Sequence, residues 1–300
     1  MRRRREKPAP PPGPGPERSG ELLTVSFAAP EARVYGQGRL ERDRADGVAR
    51  SLVAVFSESR TLTTGRAEAE LDSDPAAQAL TLQSLGPDRW TARYSGGDGQ
   101  EGAFRLELEG LGAVNGLSAD DGATDSVGDA LLRRCRMTGT VTVSGREISL
   151  DGLGQVTLMR ESADDSGASL VRDLDAWFGE RLALAVHAVR PAGARGHGEE
   201  RTYAAVVDGE PPSTTAIEEA RLSTGYDASG SPRRAGLELW PTEDSEFPRR
   251  ATGEALCGAT VLTDAGGRWD CAFLEWRMQG ERGLGPYSIM RRAPSTGRRS

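Results

Sequence analysis

Arg136-Met137-Thr138-Gly139-Thr140-Val141-Thr142-Val143, then Ser144-Gly145, then Arg146-Glu147-Ile148-Ser149-Leu150 is the stretch that decides the fold. Two runs carrying β-branched residues flank a two-residue Ser-Gly connection. A connection that short joins antiparallel neighbours in a tight hairpin.

The same texture extends in both directions. Toward the N-terminus, Ala103-Phe104-Arg105-Leu106-Glu107-Leu108 alternates apolar and charged residues with period two, the mark of a half-buried strand. Further strand-like runs are Arg89–Tyr94, Ala79–Leu82, Ser51–Phe56 and Leu22–Phe27, with turn residues such as Gly96-Gly97-Asp98-Gly99 between them. Residues 112–129, rich in Gly, Asp and Ser, read as a long mobile loop. Toward the C-terminus, Leu170–Phe178 and Leu182–Val189 meet at Gly179-Glu180, and Thr202–Asp208 turns at Gly209. Ala235–Trp240, Gly253–Ala259, Trp269–Trp276 and Gly285–Met290 complete the series. Only Thr214–Leu222 has a pattern compatible with a short helical turn.

Many short strands without alternating helices exclude a parallel α/β sheet. Large antiparallel sheets close into barrels or pack as sandwiches, because both remove exposed edges. The expectation is an all-β protein of two successive antiparallel domains. Residues 1–19, rich in Arg and Pro, form a disordered N-terminal arm, and 294–300 a disordered tail. Residues 20–150 form the first β domain and 151–293 the second, with the boundary near Asp151-Gly152-Leu153-Gly154. A chain of 300 residues is long enough for two such domains. Its 38 glycines and 17 prolines suit a fold with many reversals.

A net charge of −7 argues against nucleic-acid or acidic-membrane partners, which require a basic surface. Lys7 is the only lysine, a bias matched by abundant Ala, Gly and Arg and consistent with GC-rich coding. Three cysteines, Cys135, Cys257 and Cys271, fit a reducing compartment and not a disulfide framework. Cys257 and Cys271 are placed to meet as buried thiols on neighbouring strands. Ligand spacing for a metal is absent, so no metal and no cofactor are expected. No apolar run is long enough to span a membrane. Met1-Arg2-Arg3-Arg4-Arg5 looks like the start of a signal peptide, but Lys7-Pro8-Ala9-Pro10 follows where an apolar segment should. The expected location is the cytoplasm; the sequence leaves the oligomeric state open.

Asp173, Asp175 and Trp177 share one strand face, and Arg172, Leu174, Ala176 and Phe178 the other. The Asp-bearing face is either solvated or a polar barrel interior. Carboxylates at i and i+2 lie about 6.5–7 Å apart. Buried together, they raise one pKa and create a general acid. His187 follows Ala183 and Ala185 on the next strand, where small neighbours leave room for a ligand. An Asp173–His187 or Asp175–His187 pair is the candidate proton-transfer unit; an ordinary buried histidine is the plain alternative. Trp177, Tyr226 and Trp240 are the aromatic candidates for ligand contact, although Tyr226-Asp227 also suits a turn. His197 sits in a Gly-flanked loop beside Glu199 and Glu200 without a third metal ligand.

From Asp173 onward the chain resembles a known group. The pieces are Asp173–Phe178, Ala188-Val189-Arg190-Pro191, His197-Gly198-Glu199-Glu200, Leu222–Asp227, Arg234–Trp240, Pro248-Arg249-Arg250, Gly253-Glu254, Cys257-Gly258 and Gly283-Leu284-Gly285-Pro286-Tyr287. In this order they resemble the lipocalin-like superfamily of AttH-type proteins and hydroxyneurosporene synthase, a carotenoid hydratase. The nearer likeness is to actinobacterial members. The resemblance implies two tandem lipocalin-like β-barrels. It also implies a small hydrophobic ligand, an isoprenoid, polyketide or lipid, in a barrel cavity. One feature departs from the family: the His-x-Trp-Gly stretch that commonly follows its Gly-x-Gly is replaced by Val156-Thr157-Leu158-Met159 after Gly152-Leu153-Gly154-Gln155. Three roles follow: a binder of a hydrophobic molecule; a cofactor-independent hydratase, isomerase or cyclase using acid catalysis on a polyene; or a degenerate scaffold with filled cavities.

Overall fold

The computed structural model describes residues 20–292 apart from 72, 74–77, 97–100, 112–129, 161–167, 195, 210–212, 243 and 265. The expected arm, the expected tail and the expected loop at 112–129 lie outside the described residues.

The first nine strands are β1 (Gly20–Ala29), β2 (Val34–Asp43), β3 (Val48–Ser57), β4 (Arg60–Glu70), β5 (Leu80–Gly86), β6 (Arg89–Tyr94), β7 (Phe104–Gly110), β8 (Ala130–Val143) and β9 (Arg146–Arg160). They form one antiparallel sheet in the order β4-β3-β2-β1-β9-β8-β7-β6-β5. The next nine are β10 (Ala168–Trp177), β11 (Ala183–Pro191), β12 (Arg201–Asp208), β13 (Ser213–Ile217), β14 (Glu219–Tyr226), β15 (Pro232–Trp240), β16 (Arg249–Leu262), β17 (Arg268–Met278) and β18 (Glu281–Arg291). Their order is β13-β12-β11-β10-β18-β17-β16-β15-β14. The two orders correspond strand for strand. In each sheet the last strand returns to pair with the first, β9 on β1 and β18 on β10. Twist curls such wide sheets, here into one half-barrel and one nearly closed barrel.

The β8–β9 hairpin forms as its residues dictate. Val143 pairs with Arg146, and Ser144 and Gly145 both take positive φ (52° and 72°). Two positive φ values define the turn whose twist matches the flanking strands. The Asp151–Gly154 segment, expected at a domain boundary, continues β9. Gly152 pairs with Met137 of β8, and Gly154 with Cys135 of β8 and Phe27 of β1. These glycines are close-approach positions: a Cβ on Gly152 would collide with the Ala28 carbonyl oxygen. At Thr214–Leu222 the expected helical turn is replaced by β13 and the start of β14. Thr214, Thr215 and Ile217 are β-branched and pair with Val207, Val206 and Ala204 of β12.

Each sheet packs a core on its own inner face. Phe27, Leu40, Phe104, Leu106 and Met137 fill the first, and Leu174, Leu237, Leu274, Trp276 and Tyr287 the second. A third apolar layer lies between the sheets. It includes Tyr35, Ala54 and Phe56 from the first sheet and Trp177, Trp269, Cys271 and Phe273 from the second. Phe273 is its hub, with ring centroids 5.4 Å from Tyr35 and 6.2 Å from Trp177. All three cysteines are free and buried. Cys271 pairs with Ala259 and Cys257 with Phe273, so the two thiols are diagonal neighbours on β16 and β17. Among the described residues, no helix is long and apolar enough to cross a membrane.

Candidate functional site

Strands β10 and β11 are the central carriers of the site. Asp173 lies directly opposite His187, and Asp175 opposite Ala185. Period two turns Leu174 and Ala176 into the core of the second sheet, so Asp173, Asp175 and Trp177 point the other way. That direction is neither solvent nor a barrel interior, as the sequence suggested. It faces the outer surface of the first sheet. The two sheets close into the apolar layer around Phe273 at one part of the interface and stand apart at another, leaving a cleft.

Thr24 and Ser26 of β1, Gln37 and Arg39 of β2, and Thr157 and Met159 of β9 line one wall. Asp173, Asp175, His187, Trp269 and Ser288 line the other. Cleft and mouth together hold about 690 Å³ of space free of atoms. The part wide enough to take the centre of a water molecule is about 50 Å³, and about 10–15 Å³ suffices for one water. The inner cleft is therefore a slot for a few atoms, not a hollow cylinder.

His187 Nδ1 lies 2.6 Å from Asp173 Oδ1. The imidazole is buried, while the Asp173 side chain is 30% accessible through the cleft. Burial works to raise the Asp173 pKa. The His187 charge, its hydrogen bond and the Arg39 charge outweigh burial, so this carboxyl titrates below its ordinary range. Asp175 behaves oppositely. Burial pushes its carboxyl up to about 7; a Gln155 hydrogen bond pulls it back, and the negative charge of Asp173 adds to the rise. Neighbouring carboxyls whose environments push their pKa values apart are the signature of an acid paired with a base or electrostatic partner.

Supporting contacts fix this arrangement. Trp177 Nε1 donates to Gln155 Oε1 at 3.2 Å, and Gln155 Nε2 donates to Thr157 Oγ1 at 3.3 Å. The Gln155 amide is thereby oriented with its donor side toward Asp175. Gln37 Nε2 donates across the sheets to the Ala272 carbonyl at 2.8 Å. Trp269 Nε1 donates to Ser288 Oγ at 2.7 Å.

The backbone beneath Asp175 is equally determined. The β10–β18 ladder runs from Leu174↔Tyr287 to Trp177↔Leu284 and skips Asp175 and Ala176. Opposite the gap stand Gly285 and Pro286; Pro286 has no N–H to offer. A Cβ on Gly285 would strike the Asp175 carbonyl oxygen and lie 2.7 Å from its carbonyl carbon. Gly285→Ala is therefore expected to push β10 and β18 apart at Asp175. The predicted loss is about 2–3 kcal/mol, as for overpacking elsewhere, measured by urea denaturation. A loss under about 0.5 kcal/mol would show that the close approach is not needed.

The structure thus brings Asp173, Asp175 and His187 together. Trp177 touches the site only through Gln155 and is itself buried in the layer between the sheets. Tyr226 and Trp240 are not cleft residues. They end β14 and β15, strands remote from β10 in the sheet order, and they pack under the Arg291 and Arg221 guanidinium groups at 5.5 and 4.7 Å. His197 opens a three-residue 3-10 turn to Glu199. Among the described residues, no group of three His, Cys, Asp or Glu side chains has metal-site geometry. The residues missed by sequence reading are Gln37 and Arg39 on β2, Gln155, Thr157 and Met159 on β9, and Trp269. A signal existed for β9: Gln155, Thr157 and Met159 share a face by period two.

No family model matches this chain, and no curated protein matches it. Solved structures do. An AttH from Nitrosomonas europaea superposes over 96% of this chain and 98% of its own, with a TM-score of 0.66 at 14% identity. CghA matches over 92% and 89% of the two chains (TM-score 0.61, 11% identity). Kievitone hydratase from Nectria haematococca matches over 91% and 89% (0.58, 9%). This is the AttH-type, lipocalin-like fold. At such identities the likeness establishes architecture across both sheets, while residue roles rest on this chain's own geometry. The stretch where the sequence resemblance calls for His-x-Trp-Gly lies on β9, so that departure falls on the cleft wall, where Thr157 and Met159 stand instead.

Proposed function

We propose that the cleft between the sheets is a small-molecule site and that Asp175 is its general acid, acting without a cofactor on an unsaturated, largely apolar compound. One observation carries this reading: a carboxyl raised to about 7 lies two residues from an ionised, His-paired carboxylate, and both line one cleft. At neutral pH Asp175 holds a proton for a substantial part of the time. It can deliver that proton to an alkene carbon or carbonyl oxygen, and the nearby Asp173 carboxylate stabilises the cation formed. Loss of a proton back to the Asp175 carboxylate completes an isomerisation or cyclisation; capture of water, with return of its proton, completes a hydration. The narrow slot suits the reacting end of such a molecule, with the remainder at the mouth beside Leu132 and Met159. One solved structure of this fold is named as a hydratase, which agrees with water addition. Three buried free thiols support a reducing, cytoplasmic setting.

The test is turnover of conjugated polyenes and enones by the purified chain. Asp175→Asn is expected to lower it by about 10²–10⁴-fold. His187→Gln is expected to cost about 2 kcal/mol of stability at pH 7, because Asp173 loses a charge-assisted hydrogen bond, and to weaken turnover. If His187→Gln matched the parent in both, the Asp173–His187 pair would have no role. The binder reading keeps one support, the replacement of His-x-Trp-Gly at the cleft wall. Tight binding of a polyene with no turnover by the parent chain would favour it.

A further inference from the structure

Arg39 is a charged residue of the cleft to which the preceding reading gives no contact with the bound molecule. It sits on β2 at 7% exposure and lines both the main cleft and a smaller hollow beside it, bordered by Met159, Asp173 and His187. Its Nε is buried without a hydrogen-bond partner. Among the described residues none forms an ion pair with its guanidinium within 4.0 Å. The candidate anions are otherwise engaged or set back. Asp173 is bonded to His187 and feels Arg39 only as a nearby charge. Glu21, at the edge of the hollow, pairs with Arg42 at 3.1 Å. Glu41 and Arg292 complete its charged border, and neither lies on the main cleft.

The Arg39 Nε is withdrawn from water with no acceptor, and a guanidinium anchored in this way gains from an anion placed against its open Nη edge, because an unpaired buried polar group is costly. Its planar fork matches a carboxylate in two-point contact. A neutral lipophile would deepen the burial and compensate nothing.

Resting on the small-molecule reading of the cleft, we infer that the compound it takes carries a carboxylate, held by Arg39, with its unsaturated carbon directed toward Asp175. The ligand class is then an unsaturated carboxylic acid. Arg39 is a specificity-determining residue: it selects the acid over the corresponding alcohol or amide.

The experiment uses the full chain and two small probes, sorbate (2,4-hexadienoate) and 2,4-hexadien-1-ol, which share a carbon skeleton and differ in charge. Binding is read from the indole N–H resonance of Trp269, which lines the cleft and is assigned by Trp269→Phe. Sorbate is expected to shift that resonance and to bind about tenfold or more tightly than the alcohol. Arg39→Met is expected to lose that margin, and Arg39→Lys to retain part of it. Equal binding of acid and alcohol by the parent chain overturns the inference and leaves the cleft reading standing. Parent-like sorbate affinity in Arg39→Met does the same. If neither probe moves Trp269, the cleft reading falls and this inference with it. Should Arg39→Met fail to fold, the comparison of the two probes on the parent chain decides alone.

Discussion

Asp175→Asn is expected to stabilise the protein at pH 8, by on the order of 3 kcal/mol, and to change its stability at pH 4 by less than about 1 kcal/mol. The sign follows from the raised carboxyl, whose ordinary value of 3.8 becomes about 7 in the folded chain. Well below pH 3.8 the folded and unfolded chains both hold the proton, and burial costs nothing extra. Between pH 4 and 7 the unfolded chain releases the proton while the folded chain keeps it, so stability falls as pH rises. Above 7 the penalty is complete. Three pH units correspond to about 4 kcal/mol at 1.36 kcal/mol each, and water admitted by the cleft reduces that. Asn carries no charge at any pH and escapes the penalty. Asp173 works in the opposite sense: its lowered pKa supplies stability above the ordinary carboxyl range, which is lost on acidification through the folded value. Urea denaturation of parent and variant at pH 4, 6 and 8 separates the two. Parallel pH profiles would mean that Asp175 is an ordinary exposed acid. A variant that is both more stable and inactive would identify a residue kept at a cost to stability for the sake of chemistry.

Legibility in the sequence followed the balance between local and tertiary forces. The β8–β9 hairpin was readable because Ser144-Gly145 is a local device. So was β7, whose alternating sequence reappears as alternating burial. Strand β2 was not. Gly36 and Gly38 make Val34–Asp43 look like a turn-rich segment, yet Phe27 occupies the space of a Cβ on Gly36, and Leu80 and Val25 come within 3.1 Å of one on Gly38. Those glycines serve packing against strands far away in sequence. Missing β2 meant missing Gln37 and Arg39. Strand β4 lies at the sheet edge, and its alternation of Ala67 and Ala69 with Arg66, Glu68 and Glu70 carries too little apolar bulk to stand out. The Asp173–His187 pair was legible because a short connection around Gly179 fixes the register of β10 and β11. Its setting was not, since period two assigns side chains to opposite faces without saying what covers each face. The arrival of the first sheet, which turns a strand face into a cleft, is a tertiary event between halves of the chain.

The largest loss of stability is expected from Glu200→Leu, at about 3–5 kcal/mol, the range for stranding a buried charge. Arg172 follows the opposite rule to its neighbour Asp173: it points into the barrel of the second sheet. Its side chain is 4% accessible and that of Glu200 3%, with Nη2 and Oε2 2.7 Å apart. Arg172 Nε also donates to Glu200 Oε1 at 2.7 Å, making the pair bidentate. Arg172 Nη1 donates to Thr224 Oγ1 at 3.1 Å, and Thr224 Oγ1 lies 2.5 Å from the Tyr287 hydroxyl. One network thus ties β10 and β18 at the centre of the sheet to β14 at its far edge and to the segment leading into β12. It links the β14 edge of the barrel to the side that carries β12. Removing Glu200 leaves Arg172 charged, dry and without a counter-charge at bonding distance, held only by the neutral Thr224 and Tyr287 hydroxyls. Arg190, 3.4 Å from Glu200, is more accessible and can hydrate instead. Replacing both partners, Arg172→Met with Glu200→Leu, removes the stranded charge and should recover most of the loss, since apolar substitutes for a buried pair are often neutral. Denaturation midpoints of the single and double variants test this, with equal slopes confirming that both unfold from the same compact state. A single variant within about 1 kcal/mol of the parent would mean that the pair is effectively solvated. Because β10 carries Arg172 on one face and Asp173 and Asp175 on the other, the same variants report on the cleft. If the network only closes the barrel, the double variant keeps Asp175 at its raised pKa; if it also positions β10, the pH profile of stability shifts with it.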